Sequence, residues 1–142
     1  MLAGGAEWLH FSVQDGRMVP KISFGAPVIA VCRQEFPETV FDVKLGVVEP
    51  ERRIADFIKA GADIISVHPE ATMQLGAAIN MIQDGGRAAG VVLNPATGVC
   101  AVEHVLDSCK VTDNDQDSLC LVFHESWYWN YIHDSVTSIE TP

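Results

Sequence analysis

His10 and Ser12 stand two apart in the run Leu9-His10-Phe11-Ser12-Val13-Gln14. On a strand, that spacing turns both side chains to one face. The run then enters Asp15-Gly16-Arg17-Met18-Val19-Pro20, a loop bearing Gly and Pro. In α/β proteins, sites are built where strand ends meet such loops. An imidazole there can ligate a metal ion; it can equally be a structural histidine with one hydrogen-bond partner. Two further places offer a similar choice. His68 and Glu70 flank Pro69 at the end of an apolar run. They either line a ligand pocket or are a loop histidine and a solvated carboxylate. Asn94-Pro95 follows another such run, where turn chemistry alone accounts for it, as does a loop at the mouth of a site.

The elements that would position these groups recur with a steady rhythm. Residues 1–7 read as the end of a helix closed by Gly4-Gly5. Trp8 to Gln14 reads as a strand, and Pro27 to about Phe36 as a helix with proline in its first turn. Thr39 to Leu45, β-branched and aromatic, is a strand. Glu49-Pro50-Glu51 is expected to open a helix with its acids in the first turn; Ile54, Phe57 and Ile58 form the apolar face and Gly61 closes it. Asp63 to His68 is the next strand. Leu75, Ala78, Ile79 and Ile82 mark a helix ending at Gly85-Gly86, and Arg87 to Leu93 is a strand. Val99 to Cys109 is expected as one helix with Val102, Val105 and Leu106 inward.

Strands alternating with helices imply parallel pairing through right-handed crossovers. The nearly continuous apolar strands suit a sheet covered on both faces. A doubly wound sheet and a (β/α)8 barrel both fit. A complete barrel takes about 200–250 residues, and this chain of 142 supplies about four units. After Lys110 the rhythm breaks. Ser118 to His124 is a candidate fifth strand, and Trp127, Tyr128, Trp129 and Tyr131 cluster beyond it. That cluster is either a partner-binding anchor or unselected sequence. The expected organisation is a partial barrel domain over 1–110 and an irregular acidic, aromatic tail over 111–142.

Composition narrows the function. The chain is 48% hydrophobic and 20% charged, ordinary for one globular domain. No apolar run approaches the roughly 18 residues of a membrane span, and neither a signal peptide nor a transit peptide is visible. The net charge of −10 argues against nucleic acid. Residues 1–110 carry nine Lys and Arg against thirteen Asp and Glu, while residues 111–142 carry six acids and no Lys or Arg. Cys32, Cys100, Cys109 and Cys120 have neither Cys-x-x-Cys nor zinc-finger spacing, so buried, reduced thiols in an intracellular setting are expected.

Four segments carry a resemblance to a known family. They are Trp8-Leu9-His10 with Asp15-Gly16-Arg17-Met18-Val19-Pro20 and Phe24-Gly25; Phe41-Asp42-Val43 with Val48-Glu49-Pro50-Glu51; Ala60-Gly61-Ala62-Asp63-Ile64-Ile65-Ser66-Val67-His68; and Gly90-Val91-Val92-Leu93-Asn94-Pro95-Ala96-Thr97. From about Ala3 to Cys109 the chain resembles ribulose-phosphate 3-epimerases, and Asp56-Phe57-Ile58-Lys59-Ala60-Gly61-Ala62-Asp63 looks most like the plant plastid form. The resemblance implies a partial (β/α)8 TIM-type barrel covering the family's second to fifth strands. It implies the interconversion of D-ribulose 5-phosphate and D-xylulose 5-phosphate, a reaction of the pentose phosphate and Calvin pathways. In the family two Asp act as acid and base. A divalent metal (Zn, Fe, Mn or Co), held by two His and the same two Asp, stabilises the enediolate and is worth several kcal/mol.

Carried over residue by residue, most of that site is altered. His10 matches the first metal His. Ser12 stands at the first catalytic Asp, Gln14 at a Met under the substrate, Lys44 at the second metal His and Gly46 at a second Met. The second catalytic Asp belongs to a later strand than this sequence reaches. The resemblance therefore implies weak or absent epimerase activity and no bound metal. A sugar phosphate would be held by Lys44, with Gln14, His68 and Asn94 lining the site. Ser12 and Lys44 read either as a coordinated exchange, with an ammonium at the vacated metal position, or as a site no longer selected. The alternative is a non-catalytic protein that associates with itself or with a full-length epimerase, or a truncated product. The compartment implied is cytoplasm or chloroplast stroma.

Overall fold

The computed structural model describes residues 8–106 and 120–124. Five strands form one sheet: β1 (Trp8–Gln14), β2 (Val40–Gly46), β3 (Ile64–Val67), β4 (Ala88–Leu93) and β5 (Cys120–His124). All neighbouring pairs are parallel, and the strands lie in chain order, β1-β2-β3-β4-β5. A doubly wound sheet reverses its strand order at a switch point; a barrel does not. The unbroken order therefore selects the barrel-type arrangement of the two the sequence allowed. The candidate fifth strand after Ser118 is real and extends the sheet beyond β4. The aromatic cluster at 127–131 and the helix end at 1–7 lie outside the described residues. No helix among the described residues is long and apolar enough to cross a membrane.

The helices α1 (Ala26–Glu35), α2 (Ile54–Ala60), α3 (Leu75–Asp84) and α4 (Glu103–Leu106) connect the strands. One side of the sheet presents Phe11, Val13, Phe41, Val43, Leu45, Ile65, Val67, Ala89, Val91 and Leu93, and these share a single core with Ile29, Phe57, Ile79, Ile82 and Val105 from the four helices and with Val102 just before α4. Alternation sends the intervening residues to the other side. Ile64 and Val92 are buried there but stand apart from the helix-packed core. On β1 and β2 that second face is polar, so these two strands are not apolar throughout as expected.

Two expected helices differ. The chain after Val48 makes a 3-10 turn over Pro50–Arg52 before α2 begins at Ile54. Glu49 has φ 54°, and its N–H donates to the Ala71 carbonyl, while the Val48 N–H donates to the Asp15 carboxylate. These tertiary bonds hold the segment out of helical geometry, so Asp56 takes the first-turn acidic position. The stretch from Val99 is likewise split into a 3-10 turn over Val99–Ala101 and the short α4, with Val102 between them at φ −120°. Val102 and Val105 still point inward. Cys100 sits on that surface turn and is exposed, and Cys32 is half-buried, so neither is the buried thiol expected.

Arg33 near the end of α1 fastens the lower end of the sheet. Its Nη1 donates to the carbonyls of Phe36, Pro37 and Thr39, at 3.2, 3.0 and 2.7 Å. Nε and Nη2 donate to the Gly61 carbonyl, and Nη2 also reaches Asp63 Oδ2 at 2.5 Å. Its guanidinium lies 3.7 Å from the centre of the Phe41 ring. Asp63 Oδ2 in turn accepts the Phe41 N–H at 2.8 Å. Gly61 caps α2 at φ 97°, and a Cβ there would lie 2.9 Å from Arg33 Cγ. Glycine is thus required twice, for its conformation and for the approach of Arg33. Replacing Arg33 by Met removes the bonds and keeps the stem; the expected loss is about 2–3 kcal/mol in urea unfolding. Asp63→Asn costs less, and the double variant loses clearly less than the sum, because both act through one network.

Candidate active site

The register of β1 on β2 builds the polar face rung by rung: His10 opposite Asp42, Ser12 opposite Lys44, Gln14 opposite Gly46. The next pairing places Ser66 beside Lys44. His10 Nδ1 and Asp42 Oδ2 are 2.7 Å apart. In the sequence Asp42 stands only as part of the Phe41-Asp42-Val43 motif; its role is legible only once the strands are aligned. The Gln14 side chain lies over Gly46, where a Cβ would meet its Cγ at 3.7 Å and the Val13 carbonyl at 3.2 Å. Ser66 Oγ is buried on this face and has no hydrogen-bond partner among the described residues. His10, Ser12, Gln14 and Lys44 therefore share one surface; strand spacing implied this for His10 and Ser12.

The loops at the upper ends of the strands are held by two carboxylates. Asp15 Oδ1 accepts the N–H groups of Arg17 and Met18 at 2.8 and 3.0 Å, and Oδ2 accepts that of Val48 at 2.8 Å. The first shapes the loop after β1; the second joins it to the exit of β2. Burial alone would raise the Asp15 carboxyl, but the backbone N–H groups, Val48 foremost, outweigh it and hold the group below its ordinary value. Ser23 closes the same loop: its Oγ donates to the Ser12 carbonyl and accepts the Gln14 N–H, and its own N–H reaches the Gln14 carbonyl.

Glu70 performs the matching task between β3 and β4. Its Oε1 accepts the Asn94 N–H at 3.1 Å and the Thr97 hydroxyl. Oε2 lies 3.6 Å from Nδ1 of His68, which is 2% exposed. Glu70, though exposed, is thus engaged with the Asn94–Thr97 loop, and His68 is packed into the protein at the strand end. Asn94 is placed by its backbone rather than by turn chemistry alone. His68 and Asn94 stand at the same end of the sheet as Gln14, joined to each other through Glu70. A cavity of about 910 Å³ opens between α1 and α2, lined by Gln14, Asp15, Arg17, Arg52 and Lys59 among others. His10, Ser12 and Lys44 take no part in it.

A parallel sheet in unbroken order, with polar side chains and strand-exit loops at one end, defines a βα-repeat protein of the barrel type. The Ribulose-phosphate 3 epimerase family matches residues 1–112, and the chain belongs to that family. It is 49% identical over 105 residues to the chloroplastic ribulose-5-phosphate-3-epimerase of Arabidopsis thaliana, covering 72% of this chain and 37% of that protein. The ribulose-phosphate 3-epimerases of Synechocystis sp. and Bacillus subtilis are 46% and 47% identical, over 75% and 73% of this chain and 47% and 48% of theirs. The chain thus spans less than half the length of these relatives.

A divalent cation does not fit the donor set present on this face. His10 offers one ring nitrogen, the Asp42 carboxylate beside it is engaged with the other, and Ser12 offers a hydroxyl of little affinity for such an ion. Lys44 adds a positive charge on the adjoining strand. An ammonium within about 6 Å of a dication costs on the order of 5 kcal/mol even at an effective dielectric of about 20. Among the described residues, no three His, Cys, Asp or Glu side chains converge.

The Glu70 clasp gives a pH signature. Burial raises its carboxyl, but the Thr97 hydroxyl, the Asn94 N–H and the nearby His68 bring the balance below the ordinary 4.5. A carboxyl depressed in the folded state stabilises above its unfolded value and loses that contribution as pH falls through the folded one. Protection of the Asn94 amide against hydrogen exchange, taken relative to the intrinsic rate at each pH, is therefore expected to be full above pH 4.5 and to fall below it. In Glu70→Gln the protection should be lower throughout and independent of pH across that window.

Proposed function

We propose that this chain is an epimerase-family protein that takes a sugar phosphate on the polar face of its sheet and turns it over weakly or not at all. The observation that carries this reading is the Ser12–Lys44 rung. Two positions where the family resemblance expects an acid/base carboxylate and a metal-binding imidazole are direct cross-strand neighbours. They now hold a hydroxyl and an ammonium. The ammonium supplies attraction for an anionic ligand; the hydroxyl supplies no base near neutral pH. Gln14 above Gly46, and the strand-exit loops that end at His68 and Asn94, would complete the ligand's surroundings.

Loss of a general base alone costs about 10²–10⁴-fold in rate. A coupled assay on D-ribulose 5-phosphate should find turnover lower by at least that factor than in a metal-dependent relative, and a chelator should leave it unchanged. Family-like turnover abolished by the chelator would refute the reading. Calorimetric titration with the same sugar phosphate should show binding that falls about tenfold or more in Lys44→Ala, a loss of roughly 1.4 kcal/mol. The double substitution Ser12→Asp with Lys44→His should create Zn²⁺ binding that the parent chain lacks, because three ligands then converge with His10.

A second reading is favoured by the outer surface of α1. Val28 and Val31 are 44% and 60% exposed there. An exposed apolar pair on a helix suits association with a second copy or with a full-length epimerase. Size exclusion with light scattering distinguishes a monomer from such a complex. The chloroplastic name of the Arabidopsis relative supports a plastid setting, with cytoplasm as the other compartment the family resemblance allows.

A further inference from the structure

Asp42 and His10 form a carboxylate–imidazole pair that the site's expected chemistry leaves unused. Oδ2 of Asp42 meets Nδ1 of His10 at 2.7 Å. Oδ1 of Asp42 is buried and has no hydrogen-bond partner among the described residues. The Asp42 side chain is 17% exposed, whereas that of His10 is 54% exposed. The carboxylate is thus drawn from water and satisfied through the imidazole, while the rest of the ring faces outward. A carboxylate only accepts, so Nδ1 must carry the proton. In the neutral ring, Nε2 then bears the lone pair. Parallel pairing fixes the two Cα atoms opposite each other, so the bond is set by the sheet and not by a mobile loop.

We infer that Asp42 is a positioning residue: it holds His10 in the Nδ1–H form and presents Nε2 on the polar face as one neutral acceptor. The group that Nε2 receives is a hydroxyl hydrogen of a polyhydroxy phosphate ester whose anionic end is taken by Lys44, one rung further along the strands. The choice of ligand rests on the sugar-phosphate reading above; the tautomer does not. A backbone-anchored carboxylate behind an imidazole is a recurring means of fixing which nitrogen is free, and removing it typically costs about 10–100-fold in what that nitrogen does.

Ring nitrogen spectra of the full chain labelled with ¹⁵N-histidine test the inference. His10 should appear as a single Nδ1–H tautomer. Asp42→Asn, whose amide can donate to Nδ1, should move it toward Nε2–H. Acylation of His10 by diethyl pyrocarbonate, which attacks the free ring nitrogen, should slow about tenfold in that variant, with far-UV circular dichroism showing that the fold is kept. An Nε2–H form or an even mixture in the unaltered chain overturns the inference, and that spectrum decides even if the variant fails to fold. Adding D-ribulose 5-phosphate should then shift the His10 ring signals in the unaltered chain and not in Lys44→Ala. If the tautomer is as stated but the ligand leaves His10 unmoved, the ligand assignment falls and the positioning role stands.

Discussion

Between β1 and β2 the chain tolerates no slip. Side chains alternate with a period of two, so moving one strand by a single residue would turn Phe41, Val43 and Leu45 out of the core and Asp42 and Lys44 into it. The hydrophobic penalty alone runs to several kcal/mol, at roughly 1.5–3 kcal/mol for each large apolar side chain removed from burial. The register is also pinned at the upper end, where Asp15 after β1 holds the Val48 N–H after β2; below, Arg33 and Asp63 fasten the start of β2 to α1 and the chain before β3. The core, the His10–Asp42 pair and the Ser12–Lys44 rung are consequences of this one alignment.

That alignment also sets the outline of the polar face independently of its side chains. The framework of the polar face depends on backbone pairing and on loop carboxylates, none of which involves the side chains at positions 12, 14, 44 or 46. Those side chains can change identity while the loops after β1 and β3 keep their shape through Asp15, Ser23 and Glu70. The scaffold and the chemistry of the face are therefore separable. Under the proposed reading, a hydroxyl at Ser12 and an ammonium at Lys44 would suit the face to an anion rather than a cation.

Much of the fold was legible because its signals are local. Alternating strands and helices, Pro27 in a first turn, Gly61 after a helix and the apolar spacing of Leu75, Ala78, Ile79 and Ile82 all act over a few residues. The strand order that separates a barrel from a doubly wound sheet is a long-range property, and composition alone could not decide it. The same holds for the helix starts that failed: Glu49 and Val48 answer to Ala71 and Asp15, partners distant in sequence. In the site, positions on one strand were readable from spacing, whereas Asp42 became meaningful only across strands. Glu70, spotted beside His68, gave no sign in the sequence of the Asn94 and Thr97 groups it would hold.

Ser23 covers only the upper part of the β1 edge that faces away from β2. It occupies the outward groups of Ser12 and Gln14, while Trp8 and His10 keep the same outward orientation lower on the strand. Any strand that joins this edge must sit displaced toward the lower end of β1. Closed barrels require a fixed shear between successive strands, and a stagger imposed at one seam propagates around the circumference. A single serine hydroxyl on a loop thereby restricts which strand offsets can close against this sheet, whether they come from the same chain or from another.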